Sequence, residues 1–277
     1  MPIKNKKKSM PVAIVTGGRG GIGQTITNHL VKEGFLVLAL GRHKSSNDKS
    51  EDFYVTDVAD FGAVQRTVSK IIKKYKKIDL LVNAAGIIGA VGPFHLNDMK
   101  LWSETISINL LGTAQMCRAV LPFMLKRGQG KIINFSGGGA VQPFENFSAY
   151  ATSKAAVVRF TENLAREYEK NNIQINSIAP RLINTKMLDI AIKAGKKMAG
   201  SDYYNRVMEA KKTGGDDPNT AAELIAWLAK PKNKLTGKLI SAKWDGWKHY
   251  SAKKILQLNK SSQLTLRRID NKYFYAK

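Results

Sequence analysis

The eight residues Thr16-Gly17-Gly18-Arg19-Gly20-Gly21-Ile22-Gly23 decide the fold through what stands on either side of them. Before them, residues 11–16 (PVAIVT) read as a short buried strand; after them, residues 21–33 form an amphipathic helical stretch. A glycine-rich turn in that context lets the backbone close around a pyrophosphate at the positive end of a helix. Outward from the turn the alternation repeats. Apolar strands are predicted at 35–40, 53–55, 78–82, 131–135, 174–178 and 238–240, separated by helices at 58–77, 101–126, 148–170 and 220–229. That order predicts an α/β protein, a doubly wound parallel sheet with helices on both faces, because right-handed crossovers place the helices there. A basic tail, 1–10, precedes a single domain over 11–247. Within it the pattern breaks at 184–218 into short helical pieces with Gly195, Gly200, Gly214 and Gly215, the composition of a mobile lid. Residues 248–277 are too polar to add a domain and are expected to pack as an arm or support an oligomer contact.

The chain has 277 residues, with 45 Lys plus Arg against 21 Asp plus Glu and a net charge of +24. At 43% hydrophobic it is neither a disordered chain nor a coiled coil or collagen-like repeat. Apolar runs such as 35–40 are shorter than the roughly 18 to 20 residues of a membrane span, so a cytoplasmic protein without a membrane segment is expected. One cysteine, Cys117, allows no internal disulfide, and four scattered histidines offer no metal-ligand spacing. The charge gathers at Lys4, Lys6, Lys7 and Lys8, at Lys70 to Lys77, and after Gly246. These residues are mostly lysines without interleaved aromatics, which points to a solvated surface rather than nucleic acid.

The octet resembles the TGxxxGxG turn of the short-chain dehydrogenase/reductase family, and later motifs carry the resemblance through the chain. Asn83-Ala84-Ala85-Gly86 resembles the family's NAG motif, Asn109 lies where it has a catalytic asparagine, and Tyr150 to Lys154 is a YxxxK. Asn176-Ser177-Ile178-Ala179-Pro180 with Thr185 resembles NxxxPGxxxT. The resemblance implies the NAD(P)-binding Rossmann fold of the single-domain members, an enzyme acting on a small carbonyl or alcohol, and a homodimer or homotetramer. It implies cofactor contacts from Gly17, Arg19, Gly21, Ile22, Gly23, Asn83, Ala84, Gly86, Pro180, Ile183 and Thr185, with Asp57 and Val58 at the adenine. At the end of the second strand a carboxylate would bind two ribose hydroxyls, whereas a basic residue neutralises a 2′-phosphate. Here Arg42 offers a planar fork, with no carboxylate beside it in sequence and Arg19 as a second cation, so NADP(H) is favoured over NAD(H).

Reduction of a carbonyl needs a proton for oxygen and stabilisation of the charge developing there. Tyrosine ionises near pH 10, and a nearby cation draws that down. Lys154 stands one helical turn from Tyr150. The resemblance makes Tyr150 the acid or base, with Lys154 lowering its pKa and holding the nicotinamide ribose, and Asn109 positioning the lysine. The family's carbonyl-binding serine falls thirteen residues before the tyrosine, at Gly137; reading Ser136-Gly137-Gly138-Gly139 as SxxG makes Ser136 that hydroxyl, with Ser148 as fallback. Gly137 also keeps open a rival reading, a catalytically silent dinucleotide-binding regulator or scaffold. Arg181 replaces the Gly of the PG pair, leaving open a contact with phosphates or substrate or a solvent-facing side chain. Trp244 and Trp247 are expected at a subunit contact, with a wall that stacks on a sugar or ring as the alternative.

Overall fold

The computed structural model describes residues 10–43 and 52–267. The expectations for the lysine tail and for residues 268–277 lie outside the described residues. Seven strands, β1 (Val12–Thr16), β2 (Leu36–Gly41), β3 (Phe53–Val55), β4 (Leu80–Asn83), β5 (Gly130–Phe135), β6 (Ile173–Ala179) and β7 (Leu239–Ser241), form one sheet. All pairs are parallel, in the order β3-β2-β1-β4-β5-β6-β7. The central strands are apolar on both sides because both faces are covered. One face carries α1 (Gly21–Lys32) and α8 (Pro218–Ala229), whose Ile26, Leu30, Leu224 and Ile225 are fully buried. The other carries α2 (Phe61–Tyr75), α4 (Gly112–Arg127) and α5 (Ser148–Glu167), which bury Val64, Met116, Val120 and Leu164.

Register brings the motifs to one level. Thr16 is opposite Asn83, and Asn83 opposite Asn134, so the ends of β1, β4 and β5 form a common rim. The order reverses between β1 and β4, and a crevice opens outside the carboxyl ends of strands at such a point.

Three expectations change. The predicted 101–126 helix is two helices, α3 (Met99–Ile106) and α4, joined through a wide π-type turn at Ser107–Leu111. Together, residues Met99–Arg127 are long and apolar enough by length and composition to cross a membrane; interrupting polar residues hid this from a search for unbroken runs. Half of that apolar window is buried within the fold. The expected short lid pieces are two substantial helices, α6 (Lys186–Ala199) and α7 (Ser201–Thr213), with Gly195 a non-helical kink at φ 79°. After Trp247 the chain forms α9 (Ala252–Lys260), which buries Ile255 and Leu258 on the α1/α8 face. Residues 261–267 then run back over the sheet edge. Buried Lys238 Nζ donates to the carbonyls of Ser261 and Gln263, Leu239 N donates to Leu264 O, and Glu162 accepts from Leu266 N.

Candidate active site

The glycine turn closes against its neighbours with little room for side chains at Gly18, Gly21 and Gly23. A Cβ on Gly23 would stand 2.1 Å from Gly17 O, and one on Gly21 would meet Thr185 Cγ2 at 3.0 Å. Gly17 N donates to Leu40 O at 2.7 Å, and Ala85 N donates to Thr16 Oγ1 at 3.0 Å, so the turn is tied to β2 and to the loop after β4. Beside it lies a cleft of about 160 Å³ lined by Gly17, Gly41, Arg42, Asp57, Val58 and Gly86, among others. Five of those six are predicted cofactor contacts. A cradle that side chains would fill, opening onto a helix N-terminus, suits an extended anionic dinucleotide.

Other predicted contacts are placed as follows. Asp57 Oδ1 accepts from Ala59 N at 2.9 Å. Thr185 caps α6, its Oγ1 accepting from Met187 N, and faces the glycine turn. Ile22 and Ala84 pack under the turn, and Ile183 is 9% exposed and bridges to Gly215. The Asn83 side chain turns away from the cleft into the helix layer, donating to Asn134 Oδ1 at 2.9 Å; only its backbone remains on the cofactor side. Arg19 lies over the Phe53 ring at 4.3 Å. Arg42 does have a carboxylate within reach, Glu104 of α3 at 3.9 Å, a partner 62 residues away that local sequence does not reveal.

Asn109, fully buried in the π-type turn, holds the loop after β4 from both sides. Its Oδ1 accepts from Ile87 N and its Nδ2 donates to Ile87 O, each at 2.9 Å; Nδ2 also reaches Ser153 Oγ at 3.0 Å. A Cβ on Gly86 would lie 3.0 Å from Asn109 Oδ1 and 3.5 Å from Lys154 Nζ, so these groups surround one glycine. Pro180 follows β6 at the same rim. Lys154 is 4% exposed and donates to Phe135 O at 3.0 Å. Burial lowers its pKa from 10.5 to about 8. Tyr150, one turn earlier, has its ring centroid 5.6 Å from Lys154 Nζ.

The tyrosine departs from expectation. Burial, and then the neighbouring Tyr203, push its pKa above the ordinary value, and the lysine does not draw it down in this arrangement. Its hydroxyl rests on Gly137, where a Cβ would stand 2.3 Å from it. Ser136 is 2% exposed, and its Oγ has no hydrogen-bond partner among the described residues. Ser148 Oγ accepts from Trp102 Nε1, which engages the fallback serine elsewhere.

Arg181 turns from the cofactor cleft. Its φ of 79° is the left-handed conformation that glycine favours, its guanidinium covers Trp244 at 4.6 Å, and Nε lies 3.8 Å from Asp216. Trp244 is 67% exposed, whereas Trp247 is buried, donates to Ala242 O and packs against Trp227. The two tryptophans thus do different work, and Trp247 belongs to the protein's own core. The aromatic wall of Phe144, Phe147 and Tyr203 around Tyr150 escaped sequence reasoning. Phe144 and Phe147 stack at 4.3 Å.

A family model described as short chain dehydrogenase matches residues 11–194. The chain belongs to the short-chain dehydrogenase/reductase family. As a member of it, the protein is an oxidoreductase with the family's Rossmann fold. The 3-oxoacyl-[acyl-carrier-protein] reductase FabG of Thermotoga maritima is 30% identical over 240 residues, covering 83% of this chain and 94% of its own. The NADP-dependent 3-hydroxy acid dehydrogenase YdfG of Shigella flexneri is 27% identical over 226 residues, covering 79% and 88%. The structure of an NAD+-bound xylitol dehydrogenase superposes with a TM-score of 0.75 at 27% identity, covering 83% and 96%. Short-chain dehydrogenase relatives thus include users of either nicotinamide cofactor.

Proposed function

We propose that this short-chain dehydrogenase/reductase transfers a hydride between NADP(H) and a small ketone or secondary alcohol, with Tyr150 as acid in reduction and base in oxidation. The observation that carries it is the convergence of Asn109 and Lys154 on Gly86, with the Tyr150 ring 5.6 Å from Lys154 Nζ, beside the cleft floored by the glycine turn. Bound nicotinamide supplies the hydride. The chain's own residues do the rest: Lys154 and the cleft hold the cofactor, Asn109 fixes the loop after β4, and Ser136 Oγ polarises the carbonyl. Such ordered donors act on charge that develops during the reaction. Lys154, whose pKa burial lowers to about 8, still carries its proton at neutral pH, and a charged lysine favours Tyr150 phenolate.

Arg42 supports the preference for NADP(H). Its pair with Glu104 is long and half exposed, of the kind that contributes about 0–1 kcal/mol, so a 2′-phosphate displaces it readily. The reading extends to a cytoplasmic homo-oligomer on the family resemblance alone. An NADPH-oxidation screen over aldehydes, ketones, keto-sugars and ketoacyl thioesters tests it. Tyr150→Phe should abolish turnover while NADPH still binds, and Arg42→Asp should shift preference toward NADH by about tenfold or more. Turnover by Tyr150→Phe equal to wild type would overturn the reading.

A further inference from the structure

Position 137, where the resemblance expects a hydroxyl for the substrate oxygen, is a glycine with the Tyr150 phenol directly over it, which leaves the neighbouring Ser136 as the one serine hydroxyl there. A second phenol packs against the same cluster as Tyr150. Tyr203, in the first turn of α7, meets the rings of Phe144 and Phe147 edge-on, each centroid 4.8 Å away. Phe144 in turn meets Tyr150 edge-on at 6.5 Å. One aromatic wall therefore fixes both phenols, Tyr150 on the helix that carries the lysine and Tyr203 on the lid. Edge-to-face packing restrains both rings without engaging either hydroxyl.

The charges around the pair favour a donor at 203. Burial raises the Tyr203 pKa and outweighs Arg206, the cation on its own helix, so the phenol keeps its proton. Tyr150 and Tyr203 also pack against the same buried cluster, which includes Phe147, Leu188 and Val207. On the Tyr150 side the facing cation is Lys154.

We propose that Tyr203 donates a second hydrogen bond to the substrate oxygen, beside that of Ser136 Oγ, so that the lid helix completes the catalytic group. The inference rests on the reading of Tyr150 as the acid. In reduction the carbonyl carbon gains the hydride, the oxygen gains the proton of Tyr150 Oη, and Tyr203 keeps its own proton while sharing it with the oxygen. A lid that supplies a donor couples closure to chemistry.

The experiment compares wild type with Tyr203→Phe, Tyr203→Leu and Tyr150→Phe, using the ketone that wild type reduces fastest in the screen. Tyr203→Phe keeps the ring, so it should fold as wild type and bind NADPH equally by fluorescence titration, yet lose about 10- to 100-fold in kcat. Tyr203→Leu tests packing in addition. If Tyr203→Phe turns over within about twofold of wild type while Tyr150→Phe is inactive, the inference fails and the reading of Tyr150 stands. If Tyr150→Phe is as active as wild type, both fail.

Discussion

Lys154 is shielded from water and bonds a single carbonyl, so its ammonium form is disfavoured in the folded chain. A pKa lowered from 10.5 to about 8 corresponds to about 3 kcal/mol between its protonation states, carried as a penalty at neutral pH. Lys154→Met should therefore raise unfolding free energy at pH 7 by about 1–3 kcal/mol while abolishing turnover, a trade expected where function needs a misplaced charge. Denaturant melts of the two proteins decide it, and a less stable variant would refute it. Gly137 yields a second contrast. The atom that a new Cβ would strike is the tip of the Tyr150 side chain, which can swing aside, so Gly137→Ala should change Tm by only a few degrees while shifting kcat several-fold. Loss of folding would contradict this. The Tyr150 and Lys154 pairing was legible in sequence because a four-residue spacing on a helix fixes a shared face. The Glu104 partner of Arg42 and the resting place of the phenol were not, because both depend on contacts between distant segments.

Helices α6 and α7 hang from a narrow neck. Asp216 N donates to Leu182 O, Ile183 pairs with Gly215, and the Asp216 carboxylate accepts from Leu182 N at 3.2 Å and from Lys243 Nζ at 2.6 Å. Burial works against that carboxylate, yet the bonds from Lys243 and Leu182, with the charges of Lys243 and Arg181, hold its pKa below the usual value. Arg181 thus takes a left-handed backbone that costs a non-glycine residue about 1–2 kcal/mol, offset by Asp216 and the Trp244 face. Asp216→Asn should loosen the neck, raising KM several-fold more than it lowers kcat and speeding amide exchange across 186–213. Unchanged exchange there would refute the latch. Glycines marked this region as a lid in sequence, but helices appeared only where apolar positions such as Leu188, Ala191, Val207 and Ala210 found a shared cluster with Phe147. The break at Ser107–Leu111 was hidden for the same reason. Periodicity alone reads straight through a wide turn whose purpose is to bring Asn109 to Ile87.

For the whole molecule the charge of +24 matters less by its size than by the few lysines folded inside. Lys131 on β5 is 9% exposed, donates to Asn233 O and Gln174 Oε1, and has its pKa lowered by burial, then by Lys234, to about 7. Lys238 is also lowered, by burial first and then by Arg267. Between those depressed values and the ordinary 10.5 the unfolded chain holds protons that the folded chain does not, so stability rises with pH across that window. The opposite holds for groups that burial raises: Cys117 from 9.0 and Tyr54 from 10.0, both to about 12, with Tyr150 higher still. Above pH 9 the folded chain keeps protons that the unfolded chain gives up, and stability falls. The two trends put maximum stability on the order of pH 9, more alkaline than the pH 5 to 8 usual for proteins whose carboxylates dominate. Calorimetric melts from about pH 6 to 11 test this, with Lys131→Met expected to flatten the rising limb by removing one of its causes. A maximum below pH 7 would mean that the buried lysines do not control the fold's response to protons.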